Sequence, residues 1–159
     1  MLKPGWLEPD VLTLDVEIPG DEREGNDMFK AKEIMTTDVI TVTRRTDIYE
    51  AIRIMVRNNV TGLPVVNDDM SLAGIITEKD VLSLLYNIQD RPGTVEDFMT
   101  RDPVSFDENE SLIDIAECFI ENNFRRVPIL TGGKLAGIVS RKDIIAYILK
   151  LRHKDKVAV

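Results

Sequence analysis

Among its 159 residues the chain has one cysteine and one histidine. A lone cysteine closes no disulfide within the chain. Cys118 lies at the margin of an apolar helical face, which reads as a small buried hydrophobe rather than a reactive thiol. His153 stands in a basic stretch, Lys150-Leu151-Arg152-His153-Lys154, with no second histidine or cysteine at metal-ligand spacing. There is no Gly-x-Ser-x-Gly elbow and no phosphate loop ending in Gly-Lys-Ser or Gly-Lys-Thr. Carboxylates are plentiful, but none is placed as an acid–base pair. These gaps argue against an enzyme, a catalytic residue or a metal site. No apolar run approaches the roughly 18 residues that a bilayer requires. The first residues also lack the basic start and apolar core of a signal peptide. The expectation is a soluble, cytoplasmic protein with no membrane partner.

The chain carries no positive surplus either. Its net charge is −8, and residues 1–27 hold eight acids against Lys3 and Arg23, which leaves −2 for the remainder. A nucleic-acid backbone as the main partner would call for a basic stripe. Residues 1–27 read as an acidic extension, either partly ordered or a disordered tail. Val11–Ile18 alternates well enough for a strand, and Trp6 could anchor the segment.

What is present is repetition. Gly74-Ile75-Ile76-Thr77-Glu78-Lys79-Asp80 returns as Gly137-Ile138-Val139-Ser140-Arg141-Lys142-Asp143, an offset of 63. Upstream the offset is 64: Met35-Thr36 matches Met99-Thr100, Asn58-Asn59 matches Asn122-Asn123, and Leu63-Pro64-Val65-Val66 matches Val127-Pro128-Ile129-Leu130. The offset changes where Asn67–Ser71 faces the shorter Thr131–Lys134. Both are turn compositions, where a deletion is well tolerated.

Each unit has the same reading. An extended run (Val39–Thr43; Pro103–Phe106) leads to a helix with one apolar face. That face is Ile48, Ala51, Ile52, Met55 and Val56 in the first unit. In the second it is Leu112, Ile115, Ala116, Phe119 and Ile120. A hairpin follows (Leu63–Val66 with Leu72–Thr77; Val127–Leu130 with Leu135–Ser140). A second helix closes the unit, near 78–87 and 141–150. The linker Gln89–Thr94 contains the Pro92-Gly93 stop. The fold class is therefore α/β (α+β): two β-α-β-β-α repeats packed as one pseudo-symmetric module around a shared core. Met35, Met55 and Met99 read as core fillers.

Each repeated motif sets a hydroxyl, then an Asp three residues on, at the mouth of a helix. Thr77-x-x-Asp80 and Ser140-x-x-Asp143 are capping boxes. The same arrangement gathers a hydroxyl, a carboxylate and backbone N–H groups where a ribose and a phosphate are well received.

With its Met-Thr openings, Pro-bearing strands and paired Gly-hydrophobic-hydrophobic-Thr/Ser-x-x-Asp motifs, the chain resembles a tandem pair of cystathionine-β-synthase (CBS) domains, a Bateman module. The resemblance covers roughly Met28 to Arg152. It divides the chain into an extension (1–27), a first repeat (28–90), a second repeat (91–152) and a basic tail (153–159).

The resemblance implies a regulatory sensor that needs no cofactor. Its ligand would contain adenosine: AMP, ADP, ATP or S-adenosylmethionine. Asp143 and Asp80 would hold ribose, aided by Ser140 and Thr77. In the second cleft, Ile40, Val60, Thr61 and Ile138 would contact adenine, while Arg125, Arg126 and Lys142 would meet phosphate. In the mirror cleft the set is Ile75, Val104 and Phe124 with Lys79 and a shared Arg125. There Thr61 and Gly62 replace the two arginines, so strong phosphate binding is not expected. The resemblance also implies a homodimer formed through helices, with contacts around Tyr49 or Ile113, and a regulated target protein. The alternative is a ligand-free dimerisation scaffold whose Ser/Thr-x-x-Asp motifs only cap helices.

Overall fold

The computed structural model describes residues 29–86 and 93–157. The expectations for the acidic segment, for Trp6 and for residues 87–92 lie outside the described residues.

Helix α1 (Ile48–Asn58) begins at Asp47, whose carboxylate accepts hydrogen bonds from the N–H groups of Tyr49 and Glu50. It ends at Asn59, which adopts a left-handed φ of 52° and returns its N–H to the last turn. Its counterpart α4 (Leu112–Glu121) is capped by Ser111 Oγ. The buried faces are Ile48, Ala51 and Met55, and Leu112, Ile115 and Phe119. Val56 and Ile120, expected on those faces, are instead 75% and 83% exposed. A residue eight positions along a helix has rotated about 80° from the first, which carries it to the rim of the stripe. Cys118 is half-buried, not enclosed.

The hairpins form as the repeat implies. Strands β1 (Gly62–Val66) and β2 (Leu72–Thr77) pair antiparallel from Gly62↔Thr77. In the second unit the hairpin strands β5 (Arg126–Thr131) and β6 (Lys134–Ser140) pair from Arg126↔Ser140. Each hairpin has a register shift at the equivalent place, Val65/Val66 and Ile129/Leu130. The tips meet: Ser71 bridges Lys134, and Leu135 N–H donates to Met70 O at 2.9 Å. The repeat offset changes at this contact.

The opening segments do not stay with their own repeats. A short helix, α3 (Val95–Phe98), precedes β3 (Thr100–Arg101), which adds antiparallel to β2 of the first repeat. Reciprocally, Thr36 and Ile138 exchange two backbone hydrogen bonds of 2.9 Å. The glycines opening both motifs make room for this exchange. A Cβ on Gly74 would stand 2.5 Å from Thr100 O, and one on Gly137 would stand 2.9 Å from Thr36 O. The chain then crosses back. Val42 pairs parallel with Val65, and β4 (Phe106–Asp107) pairs parallel with β5. Only these short pairings occur where longer extended runs were expected, because most of each run spans the distance between two sheets.

The expected shared core is in fact two. One cluster holds Val42, Ile48, Ala51, Met55, Leu63, Val65, Ala73, Ile76 and Leu84, and is completed by Val95 and Met99 from the second repeat. The other holds Leu112, Ile115, Phe119, Val127, Ile129 and Val139, completed by Ala31, with Phe29, Ile34 and Met35 packed against it. A unit of about 60 residues is marginal alone; here each borrows apolar area from the opening of the other. Met55 and Met99 are buried and Met35 packs on the second core, as expected of core fillers.

The closing helices are unequal. α2 (Glu78–Leu82) passes into a 3-10 turn over Ser83–Leu85, whereas α5 (Arg141–Val157) continues well beyond the expected end. Among the described residues no helix is long and apolar enough to cross a membrane.

Candidate functional site: two clefts between the repeats

The exchange of openings sends one chain segment across between the two hairpins in each direction, and the expected clefts would lie along these crossings. Residues 37–41 run from the edge of the second hairpin, at Thr36–Ile138, to the edge of the first, at Val42–Val65. They carry Ile40 across with 38% of its surface exposed. Residues 102–105 make the opposite crossing from Ile75–Thr100 to Phe106–Ile129 and carry Val104, 46% exposed. Ile138 and Ile75 sit half-buried at the two starting edges, and Val60 and the more exposed Phe124 stand just before β1 and β5. All six apolar side chains thus remain only partly covered by protein: Val104 is the most open, Ile40 and Phe124 are equally exposed, and Val60, Ile75 and Ile138 are half-buried.

Both motifs form the capping geometry. Asp80 Oδ2 accepts from Thr77 N–H and Thr77 Oγ1, each at 2.8 Å. Asp143 Oδ2 accepts from Ser140 N–H at 2.7 Å and Ser140 Oγ at 2.8 Å, and Asp143 N–H donates back to Ser140 Oγ at 3.2 Å. In each carboxylate one oxygen does this work. The other accepts no hydrogen bond from the described residues. It remains a charged acceptor able to take a hydroxyl proton.

The two arginines go to different places. Arg126 is half-buried, not a solvated surface charge, and its Nη2 donates to Thr61 Oγ1 of the other repeat at 3.0 Å. Its Nε is buried with no hydrogen-bond partner. Burial pushes its guanidinium below its ordinary pKa; Asp143 and Glu78 push back upward, and neighbouring Arg125 pushes down. Arg125 is exposed and pairs with Glu78, Nη1 to Oε1 at 3.3 Å. Lys142 and Lys79 are exposed, and neither makes an ion pair with the described residues.

Sequence reasoning passed over Glu78 and its repeat equivalent Arg141, the first helical residues after each hydroxyl. Glu78 N–H donates to Thr61 O at 3.0 Å while its side chain reaches Arg125. Arg141 turns away, donating through Nη2 to Phe119 O and Asn122 O and lying over the Phe119 ring. Opposite charge at equivalent positions was the available signal. Among the described residues no group of three His, Cys, Asp or Glu could hold a metal ion.

Comparison with known proteins follows this architecture. The CBS domain profile matches residues 31–87 and again 95–150. An uncharacterized protein of Methanocaldococcus jannaschii, MJ1225, is 40% identical over 114 residues, covering 72% of this chain and 41% of that protein. The chain thus spans less than half of that relative. Among solved structures, Arabidopsis thaliana CBSX2 in complex with AMP superposes with a TM-score of 0.72 at 30% identity, covering 78% of this chain and 98% of that one. The CBS domain pair of MJ0100, in complex with 5′-methylthioadenosine and S-adenosyl-L-methionine, gives 0.67 at 29% identity, covering 75% and 94%. The chain belongs to the CBS-domain family and carries two CBS domains in tandem.

Proposed function

We propose that this module binds an adenosine-containing ligand between its repeats and reports occupancy to a target protein through a change of shape or assembly. The supporting observation is Arg126. A half-buried cation with an unpartnered buried Nε, within the fields of Asp143 and Glu78, favours an additional acceptor such as phosphate. Ribose would take the uncommitted oxygen of Asp143, with adenine between Ile40, Val60 and Ile138. The solved relatives bound to AMP and to S-adenosyl-L-methionine are consistent with that ligand class. Around Asp80 the equivalents of the two arginines are Thr61 and Gly62, so a less charged adenosine derivative suits that cleft.

The module acts as a homodimer in this reading. Tyr49 and Val56 on α1, and Ile113 and Ile120 on α4, leave apolar surface exposed that a second copy covers. Signalling requires that two conformations bind the ligand with different affinity. No catalysis is assigned.

A second reading, a scaffold without ligand, draws on the fact that both Asp residues already serve as caps. Thermal unfolding with AMP, ADP, ATP and S-adenosylmethionine separates the two. A ligand at 100 times its Kd raises stability by about 2.7 kcal/mol if it binds only the folded state. An unchanged melting temperature with all four selects the scaffold.

A further inference from the structure

Glu78 sits where an anionic ligand group would not want it. It is the first residue of α2 in the first motif, yet its carboxylate lies on Arg125 of the second repeat, the immediate neighbour of Arg126. The same carboxylate acts on Arg126, which lacks any ion pair with the described residues. Thr61 ties the group together: its carbonyl accepts from Glu78 N–H and its hydroxyl accepts from Arg126 Nη2, both at 3.0 Å. The chain's own repeat shows that this acid is not required by the fold. The equivalent residue, Arg141, has the opposite charge and points to two carbonyls outside this cluster.

We infer that Glu78 is a specificity-determining residue, an internal anion that competes with ligand phosphate for the Arg125–Arg126 pair. The inference rests on the binding function proposed above. A phosphate entering beside Arg126 carries roughly −1.5 to −2 charge and must either displace Glu78 from Arg125 or stand against it. An adenosine ligand without phosphate meets no such opposition. The second cleft therefore gains less from phosphate than its two arginines suggest. It takes AMP and uncharged adenosine derivatives with similar affinity. The Glu78–Arg125 pair is largely open to water, with half or more of each side chain exposed, so the competition is modest and screened by salt.

The test titrates AMP and adenosine calorimetrically into wild type, Glu78→Gln and the double variant Glu78→Gln/Arg125→Gln. Glu78→Gln is expected to bind AMP roughly two- to fivefold more tightly, with adenosine unchanged, and the gain should shrink in high salt. Removing Arg125 as well should shrink the gain to what Glu78 exerts through Arg126 alone. If both ligands bind wild type but Glu78→Gln leaves the ratio of their affinities unchanged, or weakens AMP, this inference falls while the proposed function stands. If neither ligand binds any of the three proteins, both fall. An exposed Glu-to-Gln change leaves the fold intact, and equal melting temperatures for wild type and variant verify this.

Discussion

Replacing Gly74 by alanine tests the exchange of opening segments, on which both clefts depend. The new Cβ would lie 2.5 Å from Thr100 O and 3.1 Å from Met99 Sδ, well inside the 3.4 Å at which ordinary contact begins. The methionine sulfur can swing aside. The carbonyl belongs to β3 and cannot move without disturbing its pairing with β2. Overpacking of this kind costs about 1–3 kcal/mol. A central value of about 2 kcal/mol lowers the melting temperature by about 4–8 °C in a chain of this size. Gly62→Ala is the internal comparison, since its nearest atom is Ile76 O at 3.3 Å; its shift should be less than half as large. Thermal unfolding followed by circular dichroism reads both. If Gly74→Ala melts within a degree of wild type, β3 does not lie against β2 and the clefts are built in another way.

The remaining predictions concern the site. Asp143→Ala and Asp80→Ala each remove a cap, so both should lower stability by about 1 kcal/mol, but Asp143→Ala should weaken AMP binding more, by roughly tenfold. Equal AMP losses in calorimetry would overturn the ranking of the clefts. Arg126→Ala should weaken AMP while leaving adenosine nearly unchanged, because a guanidinium that reads phosphate has nothing to meet in a nucleoside; equal losses would mean that its bond to Thr61 holds the repeats together instead. Val56→Glu with Ile120→Glu should convert a dimer to a monomer in light scattering, and a wild-type protein already monomeric at micromolar concentration would refute the proposed assembly.

Much of this architecture was legible in the sequence because it is written locally. The 3.6-residue spacing from Ile48 to Met55 and from Leu112 to Phe119 needed only one apolar face to be buried. The caps at Thr77-x-x-Asp80 and Ser140-x-x-Asp143 act within one turn of helix. The turn compositions at Asn67–Ser71 and Thr131–Lys134 closed both hairpins, and the repeat offset aligned the two halves residue by residue.

Only the tertiary structure decided which half each opening segment joins. Met35-Thr36 and Met99-Thr100 are too short to carry a period, and pairing across the repeats uses backbone groups that every residue possesses. The one written trace is Gly74 and Gly137, glycines in otherwise apolar strands whose reason appears only when Thr100 and Thr36 lie against them. The fates of the charges were equally nonlocal. Adjacent in sequence, Arg125 and Arg126 part where the chain enters β5: Arg125 lies before the strand and Arg126 is its first residue. One meets the exposed Glu78 and the other passes half-buried to Thr61. Sequence alone determined two copies of one folding unit; packing decided that neither copy is complete without the other, because each core is closed by a segment of its neighbour.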